Sequence, residues 1–60
     1  DRSGIAITLY NMGIVAYKQK NIGLAIRYTK EARDIFQSLG SPHVKGAEKW
    51  LRFYRRKAGR

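Results

Sequence analysis

The chain has 60 residues, a formal net charge of +9 and no cysteine. A chain of this length forms one small domain, which buries only about 60% of the surface that it exposes when unfolded. Without cysteine it has neither a disulfide nor a thiolate metal site. Its apolar runs are shorter than the ~20 residues that span a bilayer, so no transmembrane segment is predicted.

The first apolar-periodic segment predicts a helix over residues 5–20, with Ser3 as its N-cap. One apolar face consists of Ile5, Leu9, Met12, Gly13 and Ala16. A second face consists of Ile7, Tyr10, Ile14 and Tyr17. Two apolar faces indicate packing on both sides of the helix, or one core side and one binding side.

The second segment predicts a helix from residue 22 to about residue 39, with Asn21 as a cap. Its apolar face is made of Ala25, Tyr28, Thr29, Ala32, Ile35, Phe36 and Leu39. The opposite face is charged, and ion pairs three and four residues apart are expected there among Arg27, Lys30, Glu31, Arg33 and Asp34.

The third helix is predicted over roughly residues 42–57, after a left-handed Gly40, with Ser41 as N-cap and Pro42 in the first helical position. Its apolar sector contains His43, Ala47, Trp50, Leu51, Tyr54 and Ala58. The opposite, basic sector contains Lys45, Lys49, Arg52, Arg56 and Arg60. No β pattern remains to be placed, so the fold class is all-α.

Small residues recur inside these helices at Gly13, Ala25 and Ala32. A glycine within a helix costs about 1 kcal/mol relative to alanine, so it usually accompanies a neighbour that packs closely. Small residues at matched depth in two consecutive helices predict an antiparallel hairpin whose backbones approach each other.

Residues 6–39 resemble one tetratricopeptide repeat. The positions that carry the resemblance are Ala6, Leu9, Met12-Gly13, Ala16-Tyr17, Ala25 and Ala32. The chain departs from the family pattern at Thr29, where an aromatic residue is usual, and at Lys20, where glycine often ends the first helix. The proline of the repeat boundary is displaced by about five residues, to Pro42. The resemblance implies an α–α superhelix fragment in which a third amphipathic helix follows the hairpin.

The length of the chain bears on its assembly. Repeats of this kind need about three copies to bury their apolar faces. The segment therefore either belongs to a longer repeat array or associates with copies of itself. The third helix is either a terminal, solvating helix or the start of a second repeat. A homo-oligomer is one expectation, and a longer array is the other.

Catalytic chemistry finds little support in the sequence. The single histidine, His43, has no cysteine to pair with, and the acidic residues Glu31 and Asp34 lie among basic side chains. No phosphate-binding glycine motif and no metal-ligand spacing occurs. The prediction is a chain that is not an enzyme and has no cofactor.

Two surfaces are predicted to bind partners. The resemblance places six residues on the inner face of the first helix: Ile7, Tyr10, Asn11, Ile14, Tyr17 and Lys18. They would bind a protein or peptide, and the positive charge of the chain favours an acidic partner. Alternatively, they would contact a neighbouring repeat or a second copy of the chain. The alternative site is the basic surface, Lys45, Lys49, Arg52, Arg56 and Arg60. It would bind nucleic acid or an anionic membrane, or would only keep the end of the domain soluble. Phe53 is the aromatic side chain predicted to lie away from the core there.

Overall fold

The structure is a computed structural model that describes residues 1–59. Within this range it contains three α-helices, named α1 (Arg2–Lys18), α2 (Ile22–Ser38) and α3 (His43–Gly59). The all-α prediction is confirmed. The central helix α2 packs against both α1 and α3, so the chain forms two consecutive hairpins that share α2.

The start of α1 differs from the prediction. Asp1, and not Ser3, is the N-cap, and its side chain makes no capping hydrogen bond. The N–H of Ile5 already donates to the carbonyl oxygen of Asp1 at 3.0 Å, which places Ser3 inside the first turn. Arg2 donates to the Ser38 hydroxyl at 3.1 Å, and Ala6 is fully buried, so tertiary contacts hold this extra turn.

Both helix ends that precede a turn have the same hydrogen-bonded form. After α2, the N–H of Ser41 donates to Phe36 and the N–H of Gly40 donates to Gln37, with Gly40 at φ +65° as predicted. After α1, the equivalent donors are Asn21 and Lys20. This pair of bonds is the Schellman motif, whose left-handed position glycine usually occupies.

The starts of α2 and α3 follow the predicted caps. Asn21 Oδ1 accepts from the N–H of Leu24 at 3.2 Å, and the Ser41 hydroxyl accepts from the N–H of His43 at 3.1 Å. Pro42 lies in the turn, one residue before α3 begins, and α3 continues two residues beyond the predicted end, to Gly59.

The core is divided into two clusters along the length of α2. One cluster contains Ala6, Ala32, Phe36 and Ala47, and the other contains Ala16, Ala25 and Tyr54. Between them Gly13 is buried against α2. A Cβ atom at Gly13 would clash with the Thr29 hydroxyl oxygen and lie 3.2 Å from the carbonyl oxygen of Ala25. The close approach of α1 and α2 at the predicted small residues is confirmed.

The first predicted face of α1 is only partly buried. Gly13 and Ala16 are in the core, whereas Ile5 is 54% exposed and Met12 is 39% exposed. The reason is that the small residues Ala6, Gly13 and Ala16 form the centre of the α1–α2 contact, and the larger side chains lie at its edge. Leu39, predicted on the apolar face of α2, is exposed as well.

Candidate interaction surface

The six residues predicted for the inner face of α1 lie on one side of that helix. Asn11 and Lys18 are exposed, Ile7 is largely exposed, and the other three are half-buried. Half-burial has a clear cause, because α3 lies alongside this side of α1. The tyrosines therefore contact α3 of the same chain, where the sequence left open a neighbouring repeat or a second copy.

Two contacts fix how α1 and α3 lie beside each other. The Tyr17 ring is 5.3 Å from the ring of Phe53, centroid to centroid, in an edge-to-face arrangement. Near the other end, the Tyr10 hydroxyl is 3.8 Å from the position that a Cβ atom on Gly46 would take. From the second contact to the first, the position moves seven residues forward on both helices, so α1 and α3 are parallel. The surface between them is named the α1–α3 groove.

One end of the α1–α3 groove is a depression of about 280 Å³ with a mainly apolar lining. Ile7, Tyr10 and Asn11 contribute from α1. Phe36, His43 and Gly46 complete it. The rings of Phe36 and His43 have centroids 5.1 Å apart, so His43 is exposed to solvent and packs on the core at the same time.

The other end of the groove is a depression of about 460 Å³ lined by Tyr17, Ile22 and three lysines, Lys18, Lys20 and Lys57. Among the residues that the structure describes, no acidic side chain lines it. The groove is therefore apolar at one end and positively charged at the other. Asn11 makes no side-chain hydrogen bond within residues 1–59, so its amide is available to a ligand backbone.

The basic surface of α3 is exposed where the structure describes it. Lys45, Lys49, Arg52 and Arg56 are all solvent-exposed, and the predicted Arg60 lies outside the described residues. Beside it, a third depression of about 250 Å³ with an almost entirely apolar wall is lined by Lys49, Trp50 and Phe53.

The prediction for Phe53 is wrong. It is half-buried and packs on Tyr17 and Trp50, with ring centroids 5.3 and 5.5 Å away. Lys57 Nζ lies 5.4 Å from the centroid of the same ring, within cation–π range. The position of Phe53 depends on the neighbouring α1, which the periodicity of α3 alone does not describe.

The apolar sector of α3 is confirmed at its centre and wrong at its ends. Ala47, Leu51 and Tyr54 are buried and Trp50 is half-buried, whereas His43 and Ala58 are exposed. Tyr54 is the largest fully buried side chain. Burial raises the pKa of its phenol above 10.0, the nearby Tyr10 and Tyr17 phenols add to the rise, and the Thr29 hydroxyl opposes it.

Two buried hydroxyls remain without a protein hydrogen-bond partner within the described residues, Thr29 Oγ1 and Tyr54 OH. Both belong to the region where the three helices meet. A buried unpaired polar group costs roughly 1–3 kcal/mol, so this region is less stable than an apolar one would be.

A cluster that the sequence did not predict lies between α2 and α3. Arg33 of α2 and Glu48, Leu51, Arg52 and Arg55 of α3 line a cleft of about 250 Å³. The three α3 residues Glu48, Arg52 and Arg55 have the spacing i, i+4, i+7 of one helix face, which is a signal visible in the sequence. What the sequence lacks is the position of Arg33, which only the packing of α2 on α3 supplies.

The charged face of α2 also differs from expectation. The ion pair that the structure describes joins Arg33 Nε to Asp34 Oδ1 at 2.8 Å, between adjacent residues and not between residues three or four apart. Within residues 1–59, no group of three or more histidine, aspartate or glutamate side chains is arranged to hold a metal ion. None of the helices in this range is long and apolar enough to cross a membrane.

Comparison with known proteins adds no relative: no protein-family model, no curated protein and no solved structure matches the chain. The resemblance to tetratricopeptide repeats therefore remains a prediction from the positions named above.

Proposed function

We propose that this chain is a protein–protein interaction or assembly module of tetratricopeptide type, with no catalytic role. It binds a partner segment, or another copy of itself, through the α1–α3 groove. The observation that carries the proposal is the groove itself: two parallel helices border an apolar depression at one end and a depression with three lysines at the other. The hairpin closed at Gly13, Ala25 and Ala32 supports the family assignment.

The dimensions of the groove suggest the form of the partner. About ten residues of α1 separate the two depressions, which corresponds to roughly 15 Å along the helix. An extended peptide covers that distance in about five residues. The preferred partner is an extended segment with an apolar side chain at one end and acidic side chains at the other, held along its backbone by Asn11.

The direct test is titration of the 60-residue chain with a synthetic peptide that carries one phenylalanine and, about five residues later, two aspartates. Ile7→Glu and Lys18→Glu should each weaken binding at least fivefold, because one blocks the apolar depression and the other reverses a charge. The matched controls are Ile5→Glu and Lys30→Glu, since Ile5 and Lys30 are also exposed and neither lines the groove. Equal losses in variants and controls would reject the groove as the site.

The same matched pair tests self-association. Sedimentation equilibrium of the unchanged chain at low and high salt should reveal a helical dimer or larger assembly that persists at high salt if copies pair through the groove. Ile7→Glu should dissociate that assembly and Ile5→Glu should not. Dissociation by Ile5→Glu alone would place the interface on the opposite side of α1.

A second candidate function is binding of nucleic acid or an anionic membrane by the basic surface. The observation that favours it is a continuous set of exposed cations on α3, next to the apolar depression at Trp50 and Phe53. Binding through phosphates weakens linearly on a plot of log affinity against log salt. Arg52→Glu together with Arg56→Glu should abolish binding to single-stranded oligonucleotides or to vesicles with anionic headgroups, while leaving peptide binding in the groove intact.

A further inference from the structure

We propose that the cleft between α2 and α3 binds a phosphate monoester. This cleft, lined by Arg33, Glu48, Leu51, Arg52 and Arg55, is separate from the α1–α3 groove and from the apolar depression at Trp50. Its lining is predominantly polar, with the buried Leu51 side chain as its floor. The proposal therefore does not depend on the groove having a partner.

Among residues 1–59, only Arg33 of the three arginines is ion-paired, and its partner is Asp34 and not Glu48 of the cleft. Arg33 is held by Asp34 through Nε alone, so both terminal nitrogens of its guanidinium keep their hydrogens available. Glu48 and Arg52 are four residues apart, the spacing of a favourable helix pair, yet they form no ion pair within residues 1–59. Two helices thus contribute arginines to one shared lining, and guanidinium groups form strong charge-assisted hydrogen bonds with phosphate oxygens.

The positive charge of the cleft lining indicates which type of phosphate group would bind there. Three arginines and one glutamate give the lining a formal charge of +2, which falls to +1 when Asp34, the ion-pair partner of Arg33, is included. A phosphate monoester carries −1.5 to −2 near pH 7, with a second pKa of about 6. A phosphodiester carries one negative charge, and successive phosphates of a strand would match the long basic surface of α3 better than one compact cleft. The opening to solvent leaves space for whatever bears the phosphate, either a phosphorylated side chain or a small molecule.

The experiment uses the 60-residue chain and two probes, inorganic phosphate and a phosphoserine peptide, with Arg Nε–H signals recorded by NMR. Shifts should appear at Arg33, Arg52 and Arg55. Affinity should fall as the pH drops below about 6, because the probe loses its second negative charge. Stronger binding of the peptide would assign the cleft to phosphorylated proteins, and equal binding would assign it to small phosphate monoesters.

Adjacent arginines supply the matched control. Arg55→Gln should weaken phosphate binding at least fivefold, because Arg55 lines the cleft, whereas Arg56→Gln should change it less than twofold. Glu48→Gln should strengthen binding, since it removes the one negative charge in the lining. Arg33→Gln should weaken it, with circular dichroism confirming that the helices persist. Equal losses for Arg55→Gln and Arg56→Gln, or tighter binding of an oligonucleotide than of either probe, would overturn the proposal.

Discussion

The two hairpins that share α2 are built by opposite means. The α1–α2 contact is made by small residues, Ala6, Gly13, Ala16, Ala25 and Ala32, and the helices approach until a Cβ atom no longer fits at Gly13. The packing of α3 instead uses large buried side chains, Leu51 and Tyr54, and Tyr54 also contacts Tyr17 of α1. The α1–α2 contact therefore brings the helix backbones close together, whereas large side chains fill the space beside α3.

The turns of the two hairpins differ as well. Both use the same Schellman hydrogen bonds, yet the left-handed position is Lys20 in the first hairpin and Gly40 in the second, each at φ +65°. The first hairpin has the tighter contact and the more strained turn. In the first hairpin, a lysine has the strained left-handed conformation. In the second hairpin, the equivalent residue is Gly40, which adopts that conformation without strain.

The largest change in the free energy of unfolding should come from a Gly→Ala substitution in the first hairpin, compared with the same substitution in the second. Gly13→Ala should reduce the free energy of unfolding by roughly 1–3 kcal/mol, because the new Cβ atom meets Thr29 and the backbone of Ala25. Gly46→Ala should increase it by about 0.5–1 kcal/mol, since its Cβ atom meets only the Tyr10 hydroxyl at 3.8 Å and helix propensity improves. Urea denaturation followed by circular dichroism measures both. Stabilisation by Gly13→Ala would contradict the close contact.

Removing glycine from one turn and introducing it into the other should change the free energy of unfolding in opposite directions. Gly40→Ala should lower the free energy of unfolding by about 1–2 kcal/mol, because L residues with a Cβ atom are strained at positive φ. Lys20→Gly should raise it by up to about 1 kcal/mol, through relief of the same strain. Thermal denaturation of both variants checks the comparison. A loss of stability in Lys20→Gly would mean that the lysine side chain contributes more than the strain removes.

The smallest effect at neutral pH should come from Tyr54→Phe. Because the hydroxyl has no hydrogen-bond partner among residues 1–59, its removal should leave the free energy of unfolding unchanged or raise it by up to about 1 kcal/mol. The raised pKa of Tyr54 means that the folded state favours the neutral phenol. Its contribution is fully present below pH 10.0 and is lost as the pH rises through the higher folded value.

Alkaline denaturation of Tyr54→Phe should therefore be shallower than that of the unchanged chain above about pH 10. Tyr28→Phe is the control, since that ring is half-buried. If both variants lose stability in alkali as the unchanged chain does, Tyr54 does not control the transition. A loss of more than about 1 kcal/mol at neutral pH would show that its hydroxyl is paired.

Much of the fold could be predicted from periodicity and capping residues. Asn21, Ser41 and Gly40 act at the ends where the sequence placed them, because caps depend on local hydrogen bonds. The prediction of Ser3 as N-cap was wrong: α1 begins one turn earlier, after Asp1, and Arg2 in that turn contacts Ser38 of α2.

In the candidate sites, too, features within one helix could be predicted, whereas contacts between helices could not. The side of α1 that carries Ile7 and Asn11 follows from helix geometry, since residues three and four apart share a face. Helix geometry alone does not predict the contact of Tyr17 with Phe53 or the shared cleft of Arg33 and Arg55, because each joins residues on different helices. Sequence periodicity places side chains on a face but does not say which face of another helix lies opposite.

Periodicity and turn residues were enough to predict three helices, two turns, the small residues of the first hairpin and a basic outer surface on α3. These properties depend on residue size, charge and spacing within single segments. Only the tertiary structure decided that α3 lies parallel to α1, that Ile5 and Met12 remain exposed, and that the arginines of two helices share a cleft. The physical reason is that helix packing is set by the fit of two surfaces together, and neither helix alone contains that information.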